Sequence, residues 1–418
     1  MAQKLSRTIH AWCSYDIANS VYKLLITTVL FPIYYNAVTD NTLHVFSFTL
    51  NNTVLYDYAL SAAYLVIAFV SPLLSGIADY GHHKKKFMKF FTFVGSFSCM
   101  GLFFFTGDNL LLGIALIMFA AIGYEGAALF YDSFLPLIAP KRIQDKISAK
   151  GYSWGYSGSM VLLALNLILI MNYDMNIRYS FLQVGLWWFS IAWIAFIFLS
   201  EEKKKPQFNT NSITQGYKEL MGVKKKIFSN EITKGFLLSF FFYSMGLQTL
   251  MLVAILFGKS EIGIGDTELI ITVLILQFVA IIGALFFAYI SRKYGNKQSL
   301  MSMLCICVLI CTGGYLVETV FQFYIVSAGV GLIMGGIQSL SRSTFSKLIP
   351  NGSDDTASHF SFYNFTEKIA IVIGMFSFGF IEHSTGNPRN STIALGLFFI
   401  IALIIMWRTP LNTVKELH

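Results

Sequence analysis

Long apolar runs alternate with short polar intervals along most of this chain, and the pattern predicts membrane-spanning helices. Crossing a bilayer takes about 20 apolar residues. Six runs meet that length in the first half, at about 11–37, 57–78, from Phe87 onward, 110–135, 147–171 and 179–200. Six more follow at about 235–257, 269–290, 300–317, 321–345, 360–381 and a last one ending at Trp407-Arg408. One long polar interval, Glu201 to Lys234, separates the two sets and carries the lysine triplets Lys203–Lys205 and Lys224–Lys226. The expected architecture is an all-α membrane protein with 12 transmembrane helices. It comprises an N-terminal six-helix bundle (1–200), a cytoplasmic linker loop (201–234) and a C-terminal six-helix bundle (235–418).

Composition agrees. Of 418 residues, 55% are hydrophobic and only 12% charged, with a mean hydropathy of +0.63. A water-soluble chain carries about twice that charged fraction. The 40 Phe and 21 Tyr suit lipid-facing surfaces and interfacial belts.

A net charge of +8 does not point to nucleic acid, because of where the cations lie. Among 30 Lys and Arg, Arg178, Lys259 and Arg389 fall in outer loops, and Lys23 and Lys368 fall within spans. The others cluster at the termini, in alternate loops or at the span ends beside them. This positive-inside pattern places both termini in the cytoplasm. Cys13, Cys99, Cys305, Cys307 and Cys311 all lie in predicted spans, where a thiol is a small apolar filler. Cys307 and Cys311 share a helix face, but no His lies nearby, so no metal site is expected. The polar Met1–His10 leads directly into a full-length span, and no cleavable signal peptide is expected.

The polar residues inside the spans carry the functional signal. In the first span Asp16, Asn19 and Lys23 recur at helical spacing and share one face. They form either a packed polar patch that joins helices or the lining of a substrate or proton path. Pro32 is expected to kink the outer end of this span. In the fourth span Glu125 and Asp132 share a face, as do Tyr124 and Tyr131, while Gly123, Gly126 and Ala127 permit close helix approach. A lone ionised Glu125 near mid-membrane is costly, so it is expected to be protonated part of the time or paired with a cation such as Lys23. Tyr243 and Gln248 are the polar points of the seventh span. Gln277 in the eighth is either interhelical glue, worth about 1 kcal/mol, or a cavity donor. In the tenth span Gly331 and Gly335 favour tight contact, and Gln338 and Arg342 share the face of Gly335. The eleventh places Tyr363 and Glu367 on one face and Asn364 and Lys368 on an adjacent one.

The turn after the second span reads Gly76-Ile-Ala-Asp-Tyr-Gly-His-His-Lys-Lys-Lys86. Its glycine, aspartate and cations either bridge neighbouring helix ends or serve as a plain positive-inside anchor. This turn resembles the loop between helices two and three of the major facilitator superfamily. Asp79, Gly81 and Lys84–Lys85 fit, while His82 and His83 stand where that motif has glycine and arginine. After the eighth span, Tyr289-Ile-Ser-Arg-Lys-Tyr-Gly-Asn-Lys297 keeps Gly295 and Lys297 but has Arg292 in place of the aspartate. Recurrence of the turn in both halves suggests a duplicated six-helix unit.

Further stretches make the resemblance more specific. Tyr15-Asp16-Ile-Ala-Asn19-Ser20, Phe31-Pro32-Ile-Tyr34, Leu135-Pro136-Leu-Ile-Ala-Pro140 and Gly151-Tyr-Ser-Trp-Gly-Tyr156 resemble the superfamily branch of fungal autophagy-related vacuolar effluxers and their bacterial relatives. Phe257-Gly258, Gln277-Phe-Val-Ala280, Gly335-Gly336-Ile-Gln338 and Phe362-Tyr363-Asn364 extend the likeness over nearly the whole chain. Lys23 departs from it. The resemblance implies two pseudo-symmetric bundles around a midplane cavity, alternating access, and export of amino acids or similar small solutes.

Shifting the chain by 210 residues places Pro140 on Pro350 and Asp132 on Arg342. In this superfamily's architecture the corresponding helix ends meet across the central cleft. Asp132 and Arg342 are therefore expected either to latch a cytoplasmic gate or to answer independently to lipid headgroups.

No GxxxxGK[ST] loop, no Ser/His/Asp arrangement and no HExxH segment is present, so neither ATP-driven pumping nor enzymatic catalysis is expected. The substrate and coupling residues expected are Asp16, Asn19, Tyr22, Lys23, Glu125, Tyr243, Gln248, Gln277, Gln338 and Lys368, with Asp79, Asp132 and Arg342 for gating. The expected function is secondary transport of a small molecule, proton-coupled through Asp16 and Glu125, with no cofactor and no metal. An uncoupled facilitator or a transport-like sensor remains the alternative. The expected setting is a monomer in a bacterial inner membrane.

Overall fold

The structure, a computed structural model, describes residues 2–40, 42–45, 48–199, 212–385 and 388–411. Its first helix, α1 (Ala2–Val21), runs without a break into a π-helical stretch (Tyr22–Leu30) and then α2 (Phe31–Val38). The wide turn has a local cause. The hydroxyls of Thr27 and Thr28 both donate to the Lys23 carbonyl, at 2.5 and 2.8 Å, in competition with the backbone ladder. Pro32 is the second residue of α2, and the 34-residue span Leu5–Val38 continues through it.

A β-hairpin follows, with β1 (Thr42–Val45) antiparallel to β2 (Phe48–Asn51) and Thr42 opposite Asn51. The second span was expected from about residue 57, but α3 (Asn52–Gly81) starts earlier because Asn51 caps it, accepting from the Thr53 N–H at 3.1 Å. The remaining first-half helices are α4 (Lys84–Gly101), α5 (Leu110–Asp132), the short α6 (Leu135–Ile138), α7 (Lys141–Tyr173) and α8 (Arg178–Phe198).

The expected linker loop needs a correction. Residues 201–211 lie outside the described residues, but Ser212–Ser229 is a helix, α9, and α10 (Glu231–Phe257) begins after a single intervening residue. Leu220, Val223 and Ile227 recur on one face of α9 and are buried, whereas Lys224, Lys225 and Lys226 are exposed. The lysine triplet hides an amphipathic period in the sequence.

The second half continues with α11 (Asp266–Tyr294), α12 (Asn296–Leu316), α13 (Val320–Leu348), α14 (Thr356–Thr385) and α15 (Pro388–Arg408). Among the described residues, 11 helical segments are long and apolar enough to cross a membrane. The 27-residue α10 covers the predicted seventh span.

The described residues group into two compact units. One comprises Met1–Asp132 and Ser157–Lys218, the other Ser133–Tyr156 and Glu219–His418. The segment Ser133–Tyr156, read from sequence as part of the first bundle, groups with the second unit. Its Asp145 carboxylate accepts hydrogen bonds from α11, α12 and α13, and its Tyr156 hydroxyl donates to α13.

In the first unit, small residues set the spacing as expected. A Cβ on Gly123 would strike the Gly95 backbone, and one on Gly126 would strike the Phe91 ring, so α5 lies flush against α4. In the second unit a Cβ on Gly331 or Gly335 would strike the Leu276 or Ala280 carbonyl, so α13 packs backbone to backbone on α11. The second unit's core runs through Phe236, Phe240, Phe345, Phe360 and Phe399. Large side chains such as Phe69, Leu111, Ile197, Leu309 and Phe376 are exposed, as a lipid-facing exterior requires.

Candidate functional site

The first unit buries a polar and aromatic centre on α1. Asp16 and Asn19 are buried and Lys23 is half-buried. The Tyr131 hydroxyl donates to Asp16 Oδ2 at 2.7 Å. Tyr131 is itself fixed by Trp12, which stacks on it with ring centroids 4.5 Å apart and donates its indole N–H to the Tyr131 carbonyl at 3.0 Å. Tyr15 lies 4.8 Å from Tyr131 by ring centroid and shares a 2.6 Å hydrogen bond with Thr92. A carboxylate held this way keeps one orientation inside an apolar bundle.

One turn further along, Tyr22 meets Tyr124 at 5.0 Å and Trp188 at 5.9 Å. Its buried hydroxyl has no hydrogen-bond partner among the described residues. Glu125 follows Tyr124 on α5 and is half-buried. The turn between α3 and α4 is bridged as one of its two readings expected. Lys84 Nζ lies 3.0 Å from Asp79 Oδ1, both residues buried, and His82 closes α3 in the left-handed region with φ 53°.

The second unit holds a second polar centre. Gln248 on α10 donates to Glu367 Oε1 at 2.8 Å, and Lys368 Nζ lies 3.1 Å from Glu367 Oε2. Tyr243 is buried and shares a 2.6 Å hydrogen bond with Ser341. The Tyr156 hydroxyl donates to Gln338 Oε1 at 2.6 Å, and Gln338 Nε2 reaches Met251 Sδ at 3.9 Å. Gln277 is buried, and its Oε1 has no hydrogen-bond partner among the described residues. A buried acceptor left open in this way is costly unless a ligand or water meets it.

Near the C-terminal end of α13 the second unit carries a denser network. Asp145 on α7 accepts from Lys347 at 2.5 Å, Ser343 at 2.7 Å, Ser291 at 2.8 Å and Asn296 at 3.0 Å. Asn296 opens α12 immediately after Gly295, whose φ of 91° is left-handed territory that glycine enters without strain. Arg342 is buried; its Nε donates to Ser148 Oγ at 2.9 Å, its Nη2 to the Ser148 carbonyl at 3.0 Å, and its guanidinium lies over Tyr152 at 4.2 Å. Asp132 is buried at the end of α5.

Asp355, just ahead of α14, accepts from Lys226 at 2.7 Å and from Ser353, with His359 Nδ1 3.3 Å away. Burial works against its charge, but the hydrogen bonds from His359, Lys226 and Ser353, together with the His359 charge, prevail and hold its carboxyl well below the usual carboxylate range.

Sequence reading missed Asp145, Asn296, Lys347, Tyr156 and Glu367 as partners. One signal was available: the 210-residue shift that pairs Pro140 with Pro350 also pairs Asp145 with Asp355, and each of these carboxylates holds a lysine. No group of three or more His, Cys, Asp or Glu side chains is placed to hold a metal among the described residues.

Comparison with known proteins fits this arrangement. Residues 5–416 match the family model described as "Vacuole effluxer Atg22 like". The chain is 29% identical to the uncharacterized MFS-type transporter YxiO of Bacillus subtilis, covering 99% of this chain and 97% of that protein. It is 26% identical to autophagy-related protein 22 of Kluyveromyces lactis, over 84% of this chain and 77% of that one. The proton:xylose symporter XylE superposes with a TM-score of 0.75 at 13% identity, over 100% of this chain and 99% of that one, which shows the major facilitator fold. Polar centres set in membrane-length helices, this fold and a family match over almost every residue lead to one conclusion: the chain belongs to the Atg22-like vacuole effluxer family and is a multi-pass, MFS-type transporter.

Proposed function

We propose that this chain exports a small zwitterionic or polar solute of the amino-acid class by alternating access, driven by a proton gradient. Its two six-helix halves (1–200 and 235–418) are joined by 201–234, and it works as a monomer in a bacterial inner membrane with both termini cytoplasmic. The observation that supports this reading best is the cost of the side chains involved. Asp16, Gln248, Gln277 and Lys368 are each at most 8% exposed inside helices of membrane length. Polar and ionisable groups buried within membrane helices are expensive and mark transport paths. Asn19, Tyr22, Lys23, Tyr243 and Gln338 line the same polar centres and take substrate roles. Asp16 and Glu125 take the coupling role, and Asp79, Asp132 and Arg342 act in gating.

Counterflow in proteoliposomes tests the reading. A transporter accelerates exchange when unlabelled solute is loaded inside; a sensor gives no flux, and a channel gives no acceleration. Glu125→Gln is expected to flatten the pH dependence of exchange. An unchanged pH response removes Glu125 from the coupling role, and a wild type indifferent to pH establishes an uncoupled facilitator instead.

A further inference from the structure

We propose that the outward face of α9, formed by Lys224, Lys225 and Phe228, is a docking surface for anionic phospholipid. The opposite face of this helix is committed, since Val223 and Ile227 are 1% and 2% exposed within the core that also contains Phe236, Phe345 and Phe360. Lys224, Lys225 and Phe228 have no such role. Phe228 is 57% exposed, and neither lysine has a carboxylate within 4 Å among the described residues. Lys226 is different, because it is held by Asp355 at 2.7 Å.

The placement of α9 brings this face to the level of lipid headgroups. Asn230 alone separates α9 from α10; its N–H bonds the Ile227 carbonyl at 3.3 Å, and its side chain caps α10 by accepting from Ile232 and Thr233. Along a helix rising about 1.5 Å per residue, the lysines lie within two turns of where that membrane helix begins. The interface itself is marked by α15. A Cβ on Gly235 would strike Thr409, so the start of α10 stands beside the end of α15, where Trp407 is 66% exposed and Arg408 follows. An exposed tryptophan followed by arginine is the usual signature of the headgroup layer. Lys297 donates to the carbonyls of Trp407 and Thr409 at 2.8 Å each and adds charge at the same level.

Two ammonium groups beside an exposed aromatic ring match the two parts of an anionic lipid. The lysines meet the headgroup phosphate, and the ring enters the boundary with the acyl chains. A bound lipid would also steady the Lys226–Asp355 pair at the start of α14, the helix that carries Glu367 and Lys368.

The test uses the purified full chain in mixed micelles of phosphatidylcholine and phosphatidylglycerol, with retained lipid counted by native mass spectrometry. The wild type is expected to retain phosphatidylglycerol preferentially. K224Q/K225Q is expected to lose about thirtyfold of that preference, given the contribution of each of the two surface lysines near anionic lipid. K224R/K225R should keep the preference, and F228S should lower retention of both lipids. Equal retention of the two lipids by the wild type, or an unchanged preference in K224Q/K225Q, overturns the proposal. Displacement by excess inorganic phosphate overturns the lipid assignment in favour of phosphate alone.

Discussion

Lys347 Nζ lies 2.5 Å from Asp145 Oδ2, joining the last turn of α13 to the second turn of α7. Only 13% of the Lys347 side chain and 10% of the Asp145 side chain are exposed, so water does little to weaken the pair. Three further donors converge on the same carboxylate, and Lys347 also bonds Asn296 Oδ1 at 3.0 Å.

Removing one partner is therefore costly. Asp145→Asn leaves the Lys347 ammonium buried without its carboxylate, and about 3 kcal/mol of stability should be lost. Thermal unfolding in detergent reads this as a lower Tm. If the double variant Asp145→Asn/Lys347→Met is no more stable than the single one, the loss does not come from the orphaned charge.

Tyr131→Phe keeps the stack on Trp12 but removes the hydroxyl that orients Asp16. The expected result is a weaker apparent solute affinity in counterflow with little change in Tm. A large fall in Tm with unaltered affinity would assign Tyr131 a packing role alone.

Gly331→Leu should separate α13 from α11, because the side chain has to displace the Leu276 carbonyl. Overpacking of this kind costs about 1–3 kcal/mol. Gly379, inside α14 with nothing within 4 Å of an added Cβ, is the control, and Gly379→Ala should not lower stability, since alanine favours a helix over glycine.

Acid should loosen the contact between α9 and the start of α14. The Asp355 carboxyl is depressed in the folded chain, so its contribution is fully present above the unfolded value, about 3.9. It is lost as pH falls below that value toward the depressed one. Asp355→Asn should lower stability at neutral pH and flatten the acid limb of a Tm against pH curve. A variant whose acid limb matches that of the wild type would remove Asp355 from this role.

Exchange of the charges at 132 and 342 tests the gating role proposed for them. Asp132→Arg and Arg342→Asp should each abolish counterflow, and the double exchange should restore part of it. Failure of the double variant to recover would leave two independent charges.

The residue pattern alone makes the class of molecule plain. Runs such as 110–135 and 269–290 can satisfy their backbone only as helices in lipid, so span number, order and the superfamily likeness were all legible. It also determined which residues are costly, because Asp16, Glu125 and Lys368 are out of place in hydrocarbon wherever they point. Small residues at helical spacing, Gly331 and Gly335, announced the close contact that α13 makes with α11.

Which groups become partners depended on the folded arrangement. Asp145 and Lys347 stand 202 positions apart, and Tyr131 and Asp16 stand 115 apart. No local period connects such pairs, since they meet through the packing of whole helices. The tertiary structure also turned part of the linker into α9, because Val223 and Ile227 gain a core to bury against. Without that core the same stretch reads as a solvated run of lysines.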